Sequence, residues 1–169
     1  MNQINEQLLT YLRDLVYKKT GIVLTPDKSY LIESRLRPLL RTFEKKDISE
    51  LLESLRNTPE GKVHQRVTEA LLTSETLFFR DDHPFETLRE SVLPELIEKR
   101  TKERKLSIWS AACSTGQEPY SLAILLLEHF PPLANWDIEI LATDLGEANL
   151  ARAKKGLYCS IQTLSLIHI

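Results

Sequence analysis

Several residue types whose abundance marks particular protein classes are scarce in this sequence. Among 169 residues there are two cysteines, Cys113 and Cys159, too few for a four-cysteine metal site or a disulfide framework. The longest apolar run, LAILLL at 122–127, is too short to cross a bilayer, and the first residues lack the basic-then-apolar pattern of a signal peptide. We therefore expect a cytoplasmic protein that does not insert into the membrane.

An excess of charge of either sign is also missing. The formal net charge is -2, from 22 Lys+Arg against 24 Asp+Glu, which gives no general attraction to nucleic acids or membrane surfaces. Glycine is rare too, with five residues in all, and no G-x-G-x-x-G dinucleotide fingerprint can be written. From the charge balance we expect no nucleic-acid partner. The histidines are scattered along the chain, so we expect no metal site.

What the first 72 residues do contain is helical periodicity. Apolar residues recur at three- and four-residue steps from Ile4 to Lys19, and Gly21 then favours a helix stop. Thr25 as N-cap and Pro26 at the first helical position predict a second helix to about Thr42, kinked or ended early by Pro38. Two further short helices are predicted in DISELLESLRNTP and PEGKVHQRVTEALL. We therefore expect an all-helical N-terminal domain over residues 1–72.

Residues 73–105 are expected to form a linker motif followed by helices, with Pro94 separating two helical segments. From residue 106 the sequence predicts alternating strands and helices. The predicted strands are LSIWSAAC and IEILATD, and the helices that follow them are EPYSLAILLLEHF and LGEANLARAKKG. That order predicts a parallel sheet with covering helices, because parallel neighbours need a crossover connection. The expected fold class is α + α/β, with an all-α first domain and the start of a Rossmann-like domain over 106–169.

Two loops at the carboxyl ends of the predicted strands are candidate ligand sites. In ACSTGQEP, the small residues Ala112, Ser114 and Gly116 would let backbone N–H groups approach a ligand, although a tight turn that binds nothing is the alternative. Asp144 ends the second strand, where a carboxylate can accept hydrogen bonds from both hydroxyls of a ribose, or can act as a helix N-cap. For Glu118, in the first turn of a helix, a capping role is a sufficient alternative.

The motifs TSETLFFRD, IWSAACSTGQEPYSLAILL and ILATDL closely resemble the chemotaxis receptor glutamate methyltransferases, the CheR family, from the N-terminus to about Tyr158. The resemblance implies an all-α domain, a linker and a Rossmann-like domain that uses S-adenosylmethionine and releases S-adenosylhomocysteine. It also implies methyl transfer to glutamates on the cytoplasmic helices of methyl-accepting receptors.

By the same resemblance, cofactor-contacting positions fall on Ser74, Thr76, Arg80, Glu118 and Asp144, beside Gly116 of the loop. Several relatives carry asparagine where this chain has Ser74. Arg80 is the candidate catalytic residue, expected to orient the incoming carboxylate rather than pair tightly with it. Phe78 and Phe79 are expected to pack in the core.

Lys28 and Arg35 lie on the same arc of the second helix as Leu31, Ile32, Leu39 and Phe43. Long basic side chains on an apolar arc usually extend over apolar surface to reach water. The family resemblance implies another use, because the second N-terminal helix of these enzymes is basic and is thought to receive acidic receptor helices. Lys28 and Arg35 are therefore the candidate substrate-binding residues.

The resemblance stops after Tyr158, and the family's catalytic domain continues well past residue 169. We therefore expect an incomplete, inactive methyltransferase. The alternative from another class is a non-catalytic module that binds receptor helices through its helical domain or acts in regulation. A fragment of a nucleotide-dependent oxidoreductase is a third possibility, disfavoured by the missing glycine fingerprint and by the TLFFRD linker.

Overall fold

Two units make up the chain, and the helical one comes first. A computed structural model describes residues 4–163. The backbone contacts divide the chain into units Met1–Thr73 and Ser74–Ile169. The described part of the first unit is helical and that of the second contains a small parallel sheet, which confirms the predicted fold class.

The described part of the first unit contains four α-helices: α1 (Glu6–Thr20), α2 (Ser29–Thr42), α3 (Ile48–Asn57) and α4 (Lys62–Leu71). Gly21 ends α1 in the left-handed region at φ 73°, which confirms the predicted stop. Asp47 caps α3, because its side chain accepts the N–H of Glu50 at 2.9 Å. Such caps satisfy backbone donors that the helix itself leaves unpaired.

The start of α2 differs from the prediction. A 3₁₀ turn, Pro26–Lys28, precedes the helix, and the Thr25 side chain makes no capping hydrogen bond. Lys28 therefore lies in this turn and not within α2. Pro38 does not end the helix, which continues to Thr42. A proline removes one backbone donor, and the buried residues Ile32 and Leu36 anchor the preceding turns in the core.

The core of the helical unit is mostly leucine and other aliphatic side chains. Each fully buried leucine contributes about 2 kcal/mol of hydrophobic stabilisation. The core members with at most 1% exposure are Leu12, Val16, Ile32, Leu36, Leu51, Leu52, Leu55 and Val67. The three- and four-residue spacing seen in the sequence is the spacing of these buried faces.

The second unit begins with a helical stretch: α5 (Asp82–Thr87), one π-helical turn (Leu88–Val92) and α6 (Leu93–Lys99). Pro94 does not interrupt it. The proline is the second residue of α6, where its missing N–H removes little. At the predicted boundary the helix therefore changes from π to α geometry and continues without interruption.

Strands β1 (Lys105–Ala111) and β2 (Asp137–Thr143) pair in parallel, with Ile108 opposite Ile140. The crossover is α7 (Gln117–His129) followed by a 3₁₀ turn (Pro131–Asn135), and α8 (Glu147–Lys155) follows β2. This confirms the parallel sheet that the strand and helix order predicted.

The two faces of the sheet have different surroundings in the described part of the chain. One face, with Leu106 and Ile108, packs against Leu122 and Leu125 of α7 and forms the hydrophobic core of the second unit. On the other face Trp109 lies opposite Leu141, and these side chains are 68% and 55% exposed. The sheet is therefore covered on one side by residues that the structure describes.

Candidate functional site

The candidate site lies at one edge of the sheet, where both strands end. Ala111 is paired with Thr143 at this edge, so the chain segments that follow the two strands start side by side. Cys113 remains tied to the second strand, because its N–H donates to the Thr143 carbonyl at 2.9 Å. The two loops proposed from the sequence as ligand sites are therefore neighbours in the fold.

The loop after β1 alternates through the left-handed region of the backbone. Ala112, Ser114 and Gly116 have φ values of 61°, 49° and 99°. Such conformations are unfavourable for alanine and serine and persist only when surrounding contacts enforce them. The Gly116 N–H donates to the Cys113 carbonyl at 2.9 Å, which closes the loop just before α7 begins. The loop thus has a defined shape.

Asp144 joins the two loops through its carboxylate. Oδ2 accepts the N–H of Ser114 at 2.9 Å, and Oδ1 accepts the N–H of Gly146 at 2.7 Å. The N-cap position of α8 is Gly146, so the alternative that Asp144 is the N-cap is wrong. Asp144 instead uses its side chain to hold the loop after the neighbouring strand.

Ser74 and Asn149 complete this group. The Ser114 hydroxyl donates to the Ser74 carbonyl at 2.8 Å, and Asn149 Nδ2 donates to the Ser74 hydroxyl at 3.1 Å. Asn149 Nδ2 also lies 3.3 Å from Asp144 Oδ1. The structure therefore brings together two sequence-predicted residues, Ser74 and Asp144, with two that were not in the predicted set, Ser114 as a side chain and Asn149.

Glu118 is attached to β1 rather than to a helix end. Its Oε1 accepts the Ser110 hydroxyl at 2.7 Å, and Ser110 is 1% exposed. Glu118 itself is exposed, in the first turn of α7, where the helix dipole also favours a carboxylate. Its position is consequently fixed at the same edge of the sheet where β1 ends.

The linker phenylalanines are packing residues, as expected. Phe78 is buried and its ring meets Tyr158 edge-on at 4.9 Å, whereas Phe79 packs 5.0 Å from Phe85. The Phe79 N–H donates to the Ser121 hydroxyl at 2.9 Å, in a backbone conformation with φ 51°. These contacts attach the linker to α7 and to the start of α5.

Between the aromatic anchors, Thr76 is partly buried and Arg80 is exposed. Arg80 Nη1 donates to the Glu75 carbonyl at 3.0 Å, and Nε lies 3.8 Å from the Asp81 carboxylate. The second contact is an exposed ion pair of little energetic weight. The guanidinium therefore folds the linker back on itself and keeps further N–H groups for other partners.

Gly116 is required by close packing inside the protein. A Cβ at this position would lie 2.7 Å from the Tyr158 hydroxyl and 2.8 Å from Ala153 Cβ. The Tyr158 hydroxyl donates to the Thr115 carbonyl at 2.8 Å, so the tyrosine also fixes this loop. The space beside the Gly116 Cα, where a ligand was expected to approach, is therefore occupied by Tyr158 and by Ala153 of α8. A contact between Gly116 and a cofactor remains a prediction.

Burial affects two titratable groups beside the loop. It raises the pKa of the Cys113 thiol, with the nearby Asp144 carboxylate acting in the same direction. It also raises the pKa of Tyr158, assisted by the neighbouring Tyr120. Both groups are therefore held in their neutral forms, and the Tyr158 hydroxyl keeps the proton that it donates to Thr115.

In the helical unit, the two predicted substrate-binding residues have different surroundings. Arg35 Nη1 donates to the carbonyls of Leu71 and Leu72 at 2.9 and 3.0 Å. These are carbonyls at the C-terminal end of α4, which lack partners within the helix. Lys28 is exposed in the turn before α2. Arg35 thus has a structural role that the sequence pattern did not indicate.

Two family models match consecutive parts of the chain. The CheR methyltransferase all-alpha domain matches residues 7–72, and the CheR methyltransferase SAM binding domain matches residues 74–168. The chain belongs to the CheR methyltransferase family. This confirms the resemblance found in the linker and loop motifs, and the cofactor of the second domain is S-adenosylmethionine. The match continues to residue 168, so the prediction that the resemblance stops after Tyr158 is wrong.

Curated relatives of the CheR family agree with this assignment. Chemotaxis protein methyltransferase 1 of Pseudomonas aeruginosa is 43% identical over 149 residues, 86% of this chain and 54% of the relative. Chemotaxis protein methyltransferase Cher2 of Pseudomonas putida is 39% identical over 152 residues, 88% and 55% of the two chains. The Borreliella burgdorferi chemotaxis protein methyltransferase is 34% identical over 166 residues, 96% and 59%. The chain spans about half the length of the curated relatives it matches.

Residues 4–163 are the part of this CheR-family chain that the structure describes. Within that range no helix has the length and apolar character needed to cross a membrane. The same residues contain no group of three or more histidine, cysteine, aspartate or glutamate side chains placed to hold a metal ion.

Proposed function

We propose that the chain binds S-adenosylmethionine at the carboxyl ends of β1 and β2, as part of a methyltransferase acting on glutamate side chains of chemotaxis receptors. The observation that carries the proposal is the hydrogen-bonded group of Ser74, Ser114 and Asp144, which joins the linker to both strand ends. The membership in the CheR family and the names of the relatives, chemotaxis protein methyltransferases, support the same reaction.

The residues of this edge fit an adenosyl cofactor. Three N–H groups, from Ser114, Gly146 and Asn149, donate to the Asp144 carboxylate, and a carboxylate has about four acceptor positions, so capacity for a ribose hydroxyl remains. Glu118, Ser74 and Thr76 are the other side chains that we assign to cofactor binding, with Gly116 contributing backbone. The roles of Glu118, Ser74 and Gly116 rest on the family motif and on hydrogen bonds at the strand ends, and the role of Thr76 rests on the family motif alone.

The chemistry requires positioning more than acid or base groups. The bound cofactor supplies an electrophilic methyl group on a sulfonium, and an ionised receptor glutamate is already a nucleophile. The protein has to hold the reacting groups in line, about 3 to 3.5 Å apart, and to exclude water. Arg80 is the residue that we assign to guiding the carboxylate, because one of its five N–H donors is used by Glu75 and others remain.

Calorimetry tests the cofactor site directly. S-adenosylhomocysteine titrated into the chain should bind saturably, and Asp144→Ala should weaken that binding about tenfold or more, since a hydrogen bond to a charged group is lost. Glu139→Gln is the control, because Glu139 is an exposed carboxylate on β2, the strand that directly precedes Asp144. Saturable binding that Asp144→Ala leaves unchanged would contradict the proposed site.

The proposed substrate is a receptor helix that carries glutamates, which places the reaction in the cytoplasm. Exposed cations of the helical unit, beginning with Lys28, are the groups available for an acidic helix. Lys28→Glu should weaken capture of receptor cytoplasmic fragments while leaving S-adenosylhomocysteine affinity unchanged. Transfer of a labelled methyl group from the cofactor to such fragments tests the reaction itself.

A non-catalytic receptor-binding module is the second candidate. Both units have a buried core, but Trp109 and Leu141 in the second unit leave one face of the sheet exposed, and this exposed face favours the second candidate. In that case the chain would capture receptor fragments without binding S-adenosylhomocysteine. The calorimetric titration and the capture experiment together separate the two candidates.

A further inference from the structure

Asn149 is the residue of the proposed site that neither the sequence motifs nor the family comparison assigned a role. It lies in the first turn of α8, partly buried, and its carboxamide nitrogen is the donor shared by two partners on different segments. One partner is the Ser74 hydroxyl at 3.1 Å, and the other is Asp144 Oδ1 at 3.3 Å. An amide nitrogen has two N–H groups, so it can make both hydrogen bonds at once.

The neighbouring glycine shows that space is left for this side chain. A Cβ on Gly146 would lie 2.9 Å from Asn149 Nδ2 and 3.1 Å from Asp144 Oδ1. Gly146 has φ −85°, which any residue can adopt, so backbone conformation does not require a glycine there. The absence of a side chain is needed because Asn149 lies across this position to reach Asp144.

The hydrogen bonds on Asp144 are divided unequally between its two oxygens. Oδ1 faces the Gly146 N–H and Asn149 Nδ2, whereas Oδ2 accepts the Ser114 N–H. With about two acceptor positions on each oxygen, Oδ1 is filled and Oδ2 keeps one. The one acceptor position of the carboxylate that remains for a ligand is therefore on Oδ2.

We propose that Asn149 is a positioning residue for the cofactor ribose: it fills Oδ1 of Asp144, fixes the carboxylate plane, and directs Oδ2 toward a ribose hydroxyl. The inference rests on the proposed function of the chain and deepens it. It also changes the expectation from the sequence that Asp144 accepts both ribose hydroxyls, because in this arrangement one acceptor position remains. Through Ser74 the same amide links the linker to the ribose-binding residue.

Two ligands separate positioning from general stability. S-adenosylhomocysteine contains both ribose hydroxyls, and its 2′,3′-dideoxy analogue contains neither. In the Asn149→Ala chain, the affinity for S-adenosylhomocysteine should fall about tenfold, because the acceptor is no longer oriented. The affinity for the dideoxy analogue should change by less than about twofold, since that ligand makes no hydrogen bond to Asp144.

Two further variants complete the experiment. Asn149→Asp keeps the shape but replaces the donor by a second carboxylate beside Asp144, so it should weaken S-adenosylhomocysteine binding at least as much as alanine does. Lys155→Ala, at the exposed end of the same helix, should leave both affinities unchanged. Circular dichroism melting of each variant reports whether the unit is folded.

The possible results are distinct. A selective loss for the ribose-containing ligand supports the inference. An equal loss for both ligands, or an unchanged affinity for S-adenosylhomocysteine, overturns it while leaving the proposed function standing. If the unmodified chain binds neither ligand, the proposed function fails, and the inference fails with it.

Discussion

The main-chain N–H of Ser114 donates to the Asp144 carboxylate at 2.9 Å, so the loop after β1 is held by the residue that directly follows β2. Asp144→Asn should destabilise the second unit by about 1 to 3 kcal/mol, because an amide group then faces a backbone N–H on one side. Urea unfolding followed by circular dichroism measures this loss. An unchanged unfolding curve would show that the Ser114 hydrogen bond contributes nothing to stability.

Gly116→Ala should be more damaging than Gly21→Ala. Both glycines have positive φ, but an added Cβ meets Tyr158 and Ala153 at Gly116 and no atom within 4 Å at Gly21. The Gly21 change should cost about 1 kcal/mol from backbone conformation alone, and the Gly116 change about 1 to 3 kcal/mol more. Each loss is read from the unfolding transition of its own unit.

A double variant examines the origin of the extra cost at Gly116. Tyr158→Phe removes the hydroxyl that a Cβ at Gly116 would meet at 2.7 Å. The combination with Gly116→Ala should therefore be less destabilising than the sum of the two single changes. If the two losses of unfolding free energy simply add, the Tyr158 hydroxyl is not the contact that makes Gly116→Ala destabilising.

Arg35→Met should lower the free energy of unfolding of the helical unit by about 1 to 3 kcal/mol. The change removes the guanidinium that donates to the carbonyls of Leu71 and Leu72, and these carbonyls end α4. Lys28→Met, in an exposed turn, should change stability by less than about 0.5 kcal/mol. Similar losses for the two variants would contradict the structural role of Arg35.

The different stability effects expected at Arg35 and Lys28 determine which variant can be used to test receptor binding. A reduced capture of receptor fragments by an Arg35 variant is expected from unfolding of the helical unit alone. Lys28→Glu is therefore the cleaner variant for the receptor surface, because it changes the charge without removing a hydrogen bond to a helix end.

Ionisation of the Tyr158 hydroxyl should lower the free energy of unfolding of the second unit at alkaline pH. Burial raises the pKa of Tyr158 in the folded protein above its value of about 10 in the unfolded chain. Below pH 10 both states are protonated, and as the pH rises further the unfolded state loses its proton first. The stabilisation that the neutral hydroxyl provides is therefore lost as the pH rises toward the folded pKa.

This dependence is measured by urea unfolding from pH 8 upward, with Tyr158→Phe as the control. The difference in stability between the two chains should be constant at pH 8 to 9 and should decrease above about pH 10. Other tyrosines and lysines titrate in both chains and cancel in the difference. A difference independent of pH would show that Tyr158 ionises equally in both states.

Local signals in the sequence were sufficient for the fold. Gly21 ends α1 as expected, and the strand, helix, strand order correctly predicted parallel pairing. The error at Thr25 is also local, since a 3₁₀ turn is compatible with that sequence, whereas the predicted end of α2 at Thr42 is correct with Pro38 inside the helix.

The site was only partly predictable, because its contacts are remote along the chain. Asn149 bonds to Ser74 across 75 residues, and Arg35 reaches Leu71 across 36. Motif spacing identified Asp144 and Glu118 as carboxylates at strand and helix ends, but it could not show which backbone groups they hold. The short interval between Asp144 and Asn149, which lies in the first turn of α8, is a local signal from which this partner could have been predicted.

The most direct test of the cofactor site is amide NMR of the chain during a titration with S-adenosylhomocysteine. Saturable shift changes should concentrate at residues 74–80, 112–118 and 144–149, with the Ser114 and Gly146 amides among the largest because both donate to Asp144. Residues of the helical unit distant from these segments should keep their shifts. Changes confined to the helical unit, or no saturable change at any amide, would contradict the account.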